Sequence, residues 1–123
     1  MGKTVLIVDD SNTMRKIVSR ALRQAGIDFD QILEAGDGQE ALAVLADNKV
    51  DVVLSDINMP NMNGLEFLKA KAEDPAIKDI PVVMISTETG ADIINEAKSY
   101  GAKGAVKKPF TPELINDTLG PLL

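Results

Sequence analysis

Apolar residues in this 123-residue chain arrive as short unbroken runs separated by longer stretches of helical spacing. Val5-Leu6-Ile7-Val8, Val52-Val53-Leu54 and Val82-Val83-Met84-Ile85 have the length and branching of strands buried on both faces. They predict strands over Thr4 to Val8, Asp51 to Ser55 and Pro81 to Ser86, with Pro81 at the permitted first position. Two weaker strands are expected, one around Ile32-Leu33 within Phe29 to Ala35 and one within Ala102 to Lys107.

Between these runs the apolar period changes to 3.6. Ser11 is placed to cap a helix whose Met14, Ile17, Val18, Ala21, Leu22 and Ala25 form one face, ended by Gly26. Asp37 and Glu40 resemble a capping box before a helix bearing Ala41, Leu42, Leu45 and Ala46. Asn63 precedes a third helix with Leu65, Phe67, Leu68 and Ala72, stopped by Asp74-Pro75. A fourth helix runs from Ala91 to Tyr100, with Gly101 past its end, and Thr111-Pro112 starts a fifth that buries Leu114, Ile115, Leu119 and Leu122. Alternation of five strands with five helices implies a five-stranded parallel sheet flanked by helices on both faces. That is a doubly wound, flavodoxin-like (βα)5 fold occupying 1–123 as one domain.

The middle run, Val52-Val53-Leu54, breaks into Asp56 and Asn58, followed by Met59-Pro60 and Asn63-Gly64, so Asp56 stands at the tip of a buried strand. Asp9 and Asp10 end the first run in the same way. Ligands of open parallel sheets bind at that carboxyl edge. Each acid alone reads as readily as a helix cap or a turn residue. Three at the ends of two neighbouring strands would repel one another unless they share a cation. With oxygen ligands only, the fitting ion is hard and octahedral, Mg²⁺. Ser86 ends the fourth strand and Lys108 follows the fifth, so both are expected at this edge, where a hydroxyl and an ammonium could receive a phosphoryl group.

Composition narrows the chemistry further. At 45% hydrophobic and 26% charged residues, the chain is that of an ordinary globular protein, and its net charge of -6 argues against nucleic acid or acidic membranes as partners. The absence of cysteine and histidine excludes disulfides, thiolate or imidazole metal sites, histidine triads and a phosphohistidine on this chain. No apolar run is long enough for a signal peptide or membrane span, so cytoplasmic residence is expected. The chain is expected to be a monomer.

In order and spacing, Asp9-Asp10, Asp56 with Met59-Pro60-Asn61-Met62-Asn63-Gly64, Ser86 and Lys108-Pro109-Phe110 resemble a response-regulator receiver domain of the single-domain, CheY-like kind. The resemblance covers essentially the whole chain. It implies that Asp56 accepts phosphoryl from the phosphohistidine of a histidine kinase. It further implies that Asp10, Asp56 and the Asn58 backbone carbonyl bind Mg²⁺, with Asp9 assisting through water. Lys108 would contact the phosphoryl group, Ser86 would swing toward it, and the Lys108-Pro109 bond would be cis. Asn58 and Glu88 match the family positions that tune acyl-phosphate hydrolysis. The implied partners are that kinase and a downstream protein, the flagellar motor switch among the candidates, reached through the fourth helix, fifth strand and fifth helix. Ala105 departs from the pattern, standing where such domains often carry Tyr or Phe. Movement of the Thr87 to Gly90 loop is then the expected carrier of the signal, with Tyr100 the alternative.

The implied function is a signalling module and no metabolic enzyme. A phosphorelay intermediate would look the same. A Mg²⁺-dependent small-molecule phosphatase or phosphotransferase shares the acid cluster but expects a lid of useful length, which the sequence does not show. A flavin carrier expects stacking aromatics, and a dinucleotide site expects G-x-G-x-x-G after the first strand; this chain has no Trp, one Tyr and no such motif.

Overall fold

The computed structural model describes residues 3–27, 29–86, 91–107 and 112–122. In chain order the elements are β1 (Thr4–Val8), α1 (Asn12–Gln24), β2 (Gln31–Ala35), α2 (Gly38–Asp47), β3 (Val52–Asp56), α3 (Gly64–Ala72), β4 (Val82–Ser86), α4 (Ala91–Ser99), β5 (Gly104–Lys107) and α5 (Pro112–Leu119). A short 3-10 turn, Gly120–Leu122, follows. All strands pair in parallel, in the order β2-β1-β3-β4-β5. The chain therefore steps outward from β1 to β2, then crosses back and winds the other way from β3. The strand order reverses between β1 and β3, and at such a switch point the flanking loops part and leave a crevice. Val8 lies opposite Ser55, so the residues that follow β1 and end β3 emerge side by side.

Strand alternation divides the core in two. Leu6, Val8, Val53 and Met84 face a cluster completed by Ala41, Leu45, Phe67, Leu68 and Ala97 of α2, α3 and α4. Val5, Ile7, Leu54, Val83 and Ile85 face the other side, where Val18 and Leu22 of α1 and Ile115 and Leu119 of α5 cover them. Because both faces are sealed, the inner strands need apolar residues at every position, which is why they read as continuous runs. Each buried Val, Leu or Ile contributes about 1.5–3 kcal/mol.

The helix starts follow their caps. Ser11 Oγ accepts from Met14 N at 3.2 Å, and Asp37 Oδ1 accepts from Glu40 N at 2.9 Å. The reciprocal capping box forms at α3, where Asn63 Oδ1 accepts from Glu66 N and Glu66 Oε1 accepts from Asn63 N. Gly26 and Gly101 lie just past α1 and α4 at φ +79° and +106°, a region that glycine enters without a Cβ clash.

Four apolar positions differ from the expected core. Ile17 and Leu114 are each 46% exposed, and Ala46 and Ala72 are also exposed. Each sits one residue, about 100° of helix, to the side of the buried stripe. On α3 the stripe is completed instead by Lys71, which is only 4% exposed. Its Nζ donates to the Lys78 carbonyl at 2.9 Å, tying the end of α3 to the segment that leads into β4. Burial pushes the Lys71 ammonium below its usual pKa; nearby Asp79 opposes this and Lys103 adds to it.

A cation whose folded pKa is lowered weakens the fold while it stays charged, and the penalty disappears once pH exceeds its unfolded pKa. Lys71→Met, which keeps the volume and removes the charge, is expected to raise stability at pH 7 as far as relief of the buried charge exceeds the lost bond to the Lys78 carbonyl. The gain should shrink at strongly alkaline pH. A lower urea midpoint for the variant at pH 7 would contradict this.

Candidate functional site

Asp9 and Asp10 follow β1 and Asp56 ends β3, at the crevice the topology opens. Carboxylate oxygens of all three lie within 4.8 Å of one another. Asp9 is buried, Asp56 is half-buried and Asp10 is exposed, so the cluster is anchored inside and open outward. Asp9 is held through its backbone and its side chain. Its N–H donates to the Ala35 carbonyl at 3.0 Å, and its Oδ1 accepts from Ser11 N at 2.9 Å. Asp56 Oδ1 accepts from Ile57 N at 2.8 Å, and the Ser55 hydroxyl donates to the Asp56 carbonyl at 2.9 Å.

The loop after Asp56 is closed on itself and then fastened to α2. Gly64 N donates to the Ile57 carbonyl at 2.8 Å, and Met62 N donates to the Pro60 carbonyl at 2.7 Å. Asn61 takes φ +63°, which asparagine tolerates better than most side chains. That turn aims its amide at Asp37 Oδ2, 2.9 Å away, while Gly38 N donates to the Met62 carbonyl at 2.9 Å. Both glycines here are required by close approach. A Cβ at Gly64 would collide with the Asp56 carbonyl, and one at Gly38 would lie 2.6 Å from Met62 Cγ. Asp37 thus caps α2 with one oxygen and holds the acid-bearing loop with the other. The hydrogen bond from Asn61 does most to keep its carboxyl below the usual carboxylate range; the Glu40 N–H comes next, burial opposes, and the Gln39 N–H assists.

The remaining expected site residues fall unevenly. Asn58 is exposed in the loop two residues past Asp56. Ser86 closes β4 in register with Lys107, at the same edge as the acids, but its side chain is outside the described residues. Lys108, Glu88, the Lys108-Pro109 bond and the Thr87 to Gly90 loop also lie outside them. Ala105 pairs with Met84 and is half-buried against the α2–α4 side of the core. Tyr100 packs against that same side, with Lys69 Nζ 4.9 Å from its ring centroid.

Among the described residues, Arg15 is a site neighbour that the sequence reading passed over, and Asn61 was read only as part of the loop motif. They line, with Asp10, Glu34, Asp37 and Glu40, an open groove of about 410 Å³ beside the acids. Asn61 belongs to a loop already marked by proline and glycine, whereas Arg15 reads as one more solvated helix cation.

Three convergent carboxylates with no nitrogen or sulfur donor beside them suit a hard, oxygen-seeking divalent ion, and the residues fit Mg²⁺ on those grounds. Acids gathered at the switch point of a doubly wound (βα)5 sheet are the arrangement that the resemblance to receiver domains implies. The family model described as response regulator receiver domain matches residues 5–119, and the chain belongs to that family. It is 40% identical over 115 residues to a chemotaxis protein CheY of Pseudomonas aeruginosa, covering 94% of this chain and 91% of that protein. The solved structure of Vibrio cholerae CheY4 superposes with a TM-score of 0.88 at 41% identity, covering 100% of both chains. The structure of a Borrelia burgdorferi CheX-CheY-BeF3-Mg²⁺ complex matches at TM-score 0.85 and 27% identity over 98% of this chain and 90% of that one. The chain is a CheY-like receiver, similar throughout its length to chemotaxis proteins.

The Asp37 clamp has a pH signature. Its folded pKa lies below the ordinary 3.8, so its contribution is complete above that value and disappears as pH falls through the folded pKa. Asp37→Asn should lower the urea midpoint at pH 7, and the gap to wild type should close toward pH 3. A gap of constant size would show that the carboxylate charge is not what holds the loop.

Proposed function

We propose that Asp56 accepts a phosphoryl group from the phosphohistidine of a histidine kinase, and that the phosphorylated form controls a partner protein in chemotaxis. The observation that carries this is the convergence of the Asp9, Asp10 and Asp56 oxygens within 4.8 Å at the strand switch point. Family membership supplies the donor. The relationship to the P. aeruginosa chemotaxis protein supports the pathway, and the Borrelia structure supports a Mg²⁺-dependent, protein-binding role.

A carboxylate oxygen of Asp56 attacks phosphorus. The new O–P bond forms as the donor's N–P bond breaks, and its electron pair leaves with the imidazole, which takes up a proton. Asp10, Asp56 and the Asn58 carbonyl would hold Mg²⁺ with Asp9 assisting, and the ion would supply positive charge toward the phosphoryl oxygens. The hydrogen bond from Ile57 N to Asp56 Oδ1 limits rotation of the nucleophilic carboxylate. Lys108 neutralises one phosphoryl oxygen and Ser86 donates to another. Asn58 and Glu88 orient the water that later hydrolyses the acyl phosphate. With Ala105 unable to act as a rotating ring, the loop after Ser86 carries the change to the α4–β5–α5 face. The downstream target there is a protein, the flagellar motor switch among the candidates. Among the described residues no helix is long and apolar enough to cross a membrane. The proposed setting is the cytoplasm.

Incubation with radiolabelled acetyl phosphate and Mg²⁺ tests the assignment. Wild type should incorporate label that alkali removes, and Asp56→Asn should incorporate none while melting as a folded protein. Persistent labelling of the folded variant would contradict the proposal.

A further inference from the structure

Arg15 is the cation nearest the acid-bearing turn in sequence, and it serves no part of the chemistry above. Its guanidinium reaches three acceptors at once. Nη1 donates to the Asp9 carbonyl, Nε pairs with Glu34 Oε1 at 2.9 Å, and Nη2 donates to Asn12 Oδ1 at 3.4 Å. The Arg15 side chain is 18% exposed and its bond to the Asp9 carbonyl is partly buried, whereas Glu34 is 48% exposed. The carbonyl it holds belongs to the Asp9–Asp10 peptide, and the tilt of that peptide sets where the Asp10 side chain leaves the strand edge. The Asp9 amide is tied to Ala35 and its carboxylate to Ser11, and Arg15 adds a restraint on the Asp9 carbonyl and links it to β2 through Glu34.

We infer that Arg15 is a positioning residue for the metal-binding acids: it locks the Asp9–Asp10 peptide so that both carboxylates can serve one cation. This rests on the Mg²⁺ reading of the site. Positioning and charge make opposite demands here. A cation close to a Mg²⁺ site repels the ion, so removing it on electrostatic grounds alone should tighten binding. Removing it as a strut should weaken binding, because the acids lose their common orientation; loss of a group that orients metal ligands typically costs about 10- to 100-fold in affinity. Lysine separates the two effects further, since it keeps the charge but lacks the planar fork that can span three acceptors.

Calorimetric titration with MgCl₂ of wild type, Arg15→Gln, Arg15→Lys and Glu34→Gln tests the inference, with metal-free urea midpoints as the check on folding. Wild type should bind, both Arg15 variants should bind about 10- to 100-fold more weakly, and Glu34→Gln should stay close to wild type because its amide oxygen still accepts from Nε. Should Arg15→Gln fail to fold, the Arg15→Lys arm decides. Equal or tighter binding by Arg15→Gln, or wild-type affinity in Arg15→Lys, would overturn the strut. Failure of wild type itself to bind Mg²⁺ would contradict the metal reading and remove this inference with it.

Discussion

Repulsion among three carboxylates is the constraint around which this molecule is built. Parallel pairing of β1 with β3 forces Asp9, Asp10 and Asp56 into a space 4.8 Å across, and nothing in strand geometry alone would favour that. The fold holds them there because the strands beneath are anchored on both faces by apolar layers. Carboxylates brought this close make a site with strong demand for a small divalent cation. An incoming phosphoryl group brings further negative charge to the same place, so its acceptance depends on cations supplied around the cluster.

A site built on repulsion needs its parts fixed from outside, and the structure provides this at both strand ends. On the β1 side, Ser11, Ala35 and Arg15 hold Asp9 through separate groups. On the β3 side, Asn61, Met62 and Gly64 close the loop and fasten it to the start of α2. Both sets lead to the junction of β2 and α2, through Glu34 and Ala35 at the end of β2 in one case and Asp37 and Gly38 at the start of α2 in the other. That junction contributes no acid to the cluster but acts as the frame against which both acid-bearing turns are set. Glycine at 38 and 64 is part of that frame, because a side chain at either position would push the loop away from its supports.

Much of this was legible in the sequence. The buried strands announce themselves as unbroken apolar runs, and Ser11, Asp37 and Asn63 were visible as caps because their side chains act locally. The acids could be placed because a strand end and a following turn fix where a residue emerges. What the sequence hid were contacts distant along the chain and rotations of single residues. Asp37 looked like a cap and nothing more, since its second oxygen bonds Asn61 from another element. Ile17 and Leu114 counted as apolar yet fall beside the buried stripe, while Lys71 took an interior place because the Lys78 carbonyl waits for its ammonium. Ala105, by contrast, was a difference readable from the sequence. The structure places it in β5 against the α2–α4 core, with no ring to turn.

The central claim is that this acid cluster exists to make one carboxylate, that of Asp56, a phosphoryl acceptor. Borohydride reduces an aspartyl phosphate to homoserine, so reduction followed by peptide mass spectrometry reports which acid was modified. After incubation with a small phosphodonor and Mg²⁺, homoserine should appear at position 56 alone and should vanish when the metal is chelated. Homoserine at position 9 or 10, or its formation without a divalent ion, would contradict the account.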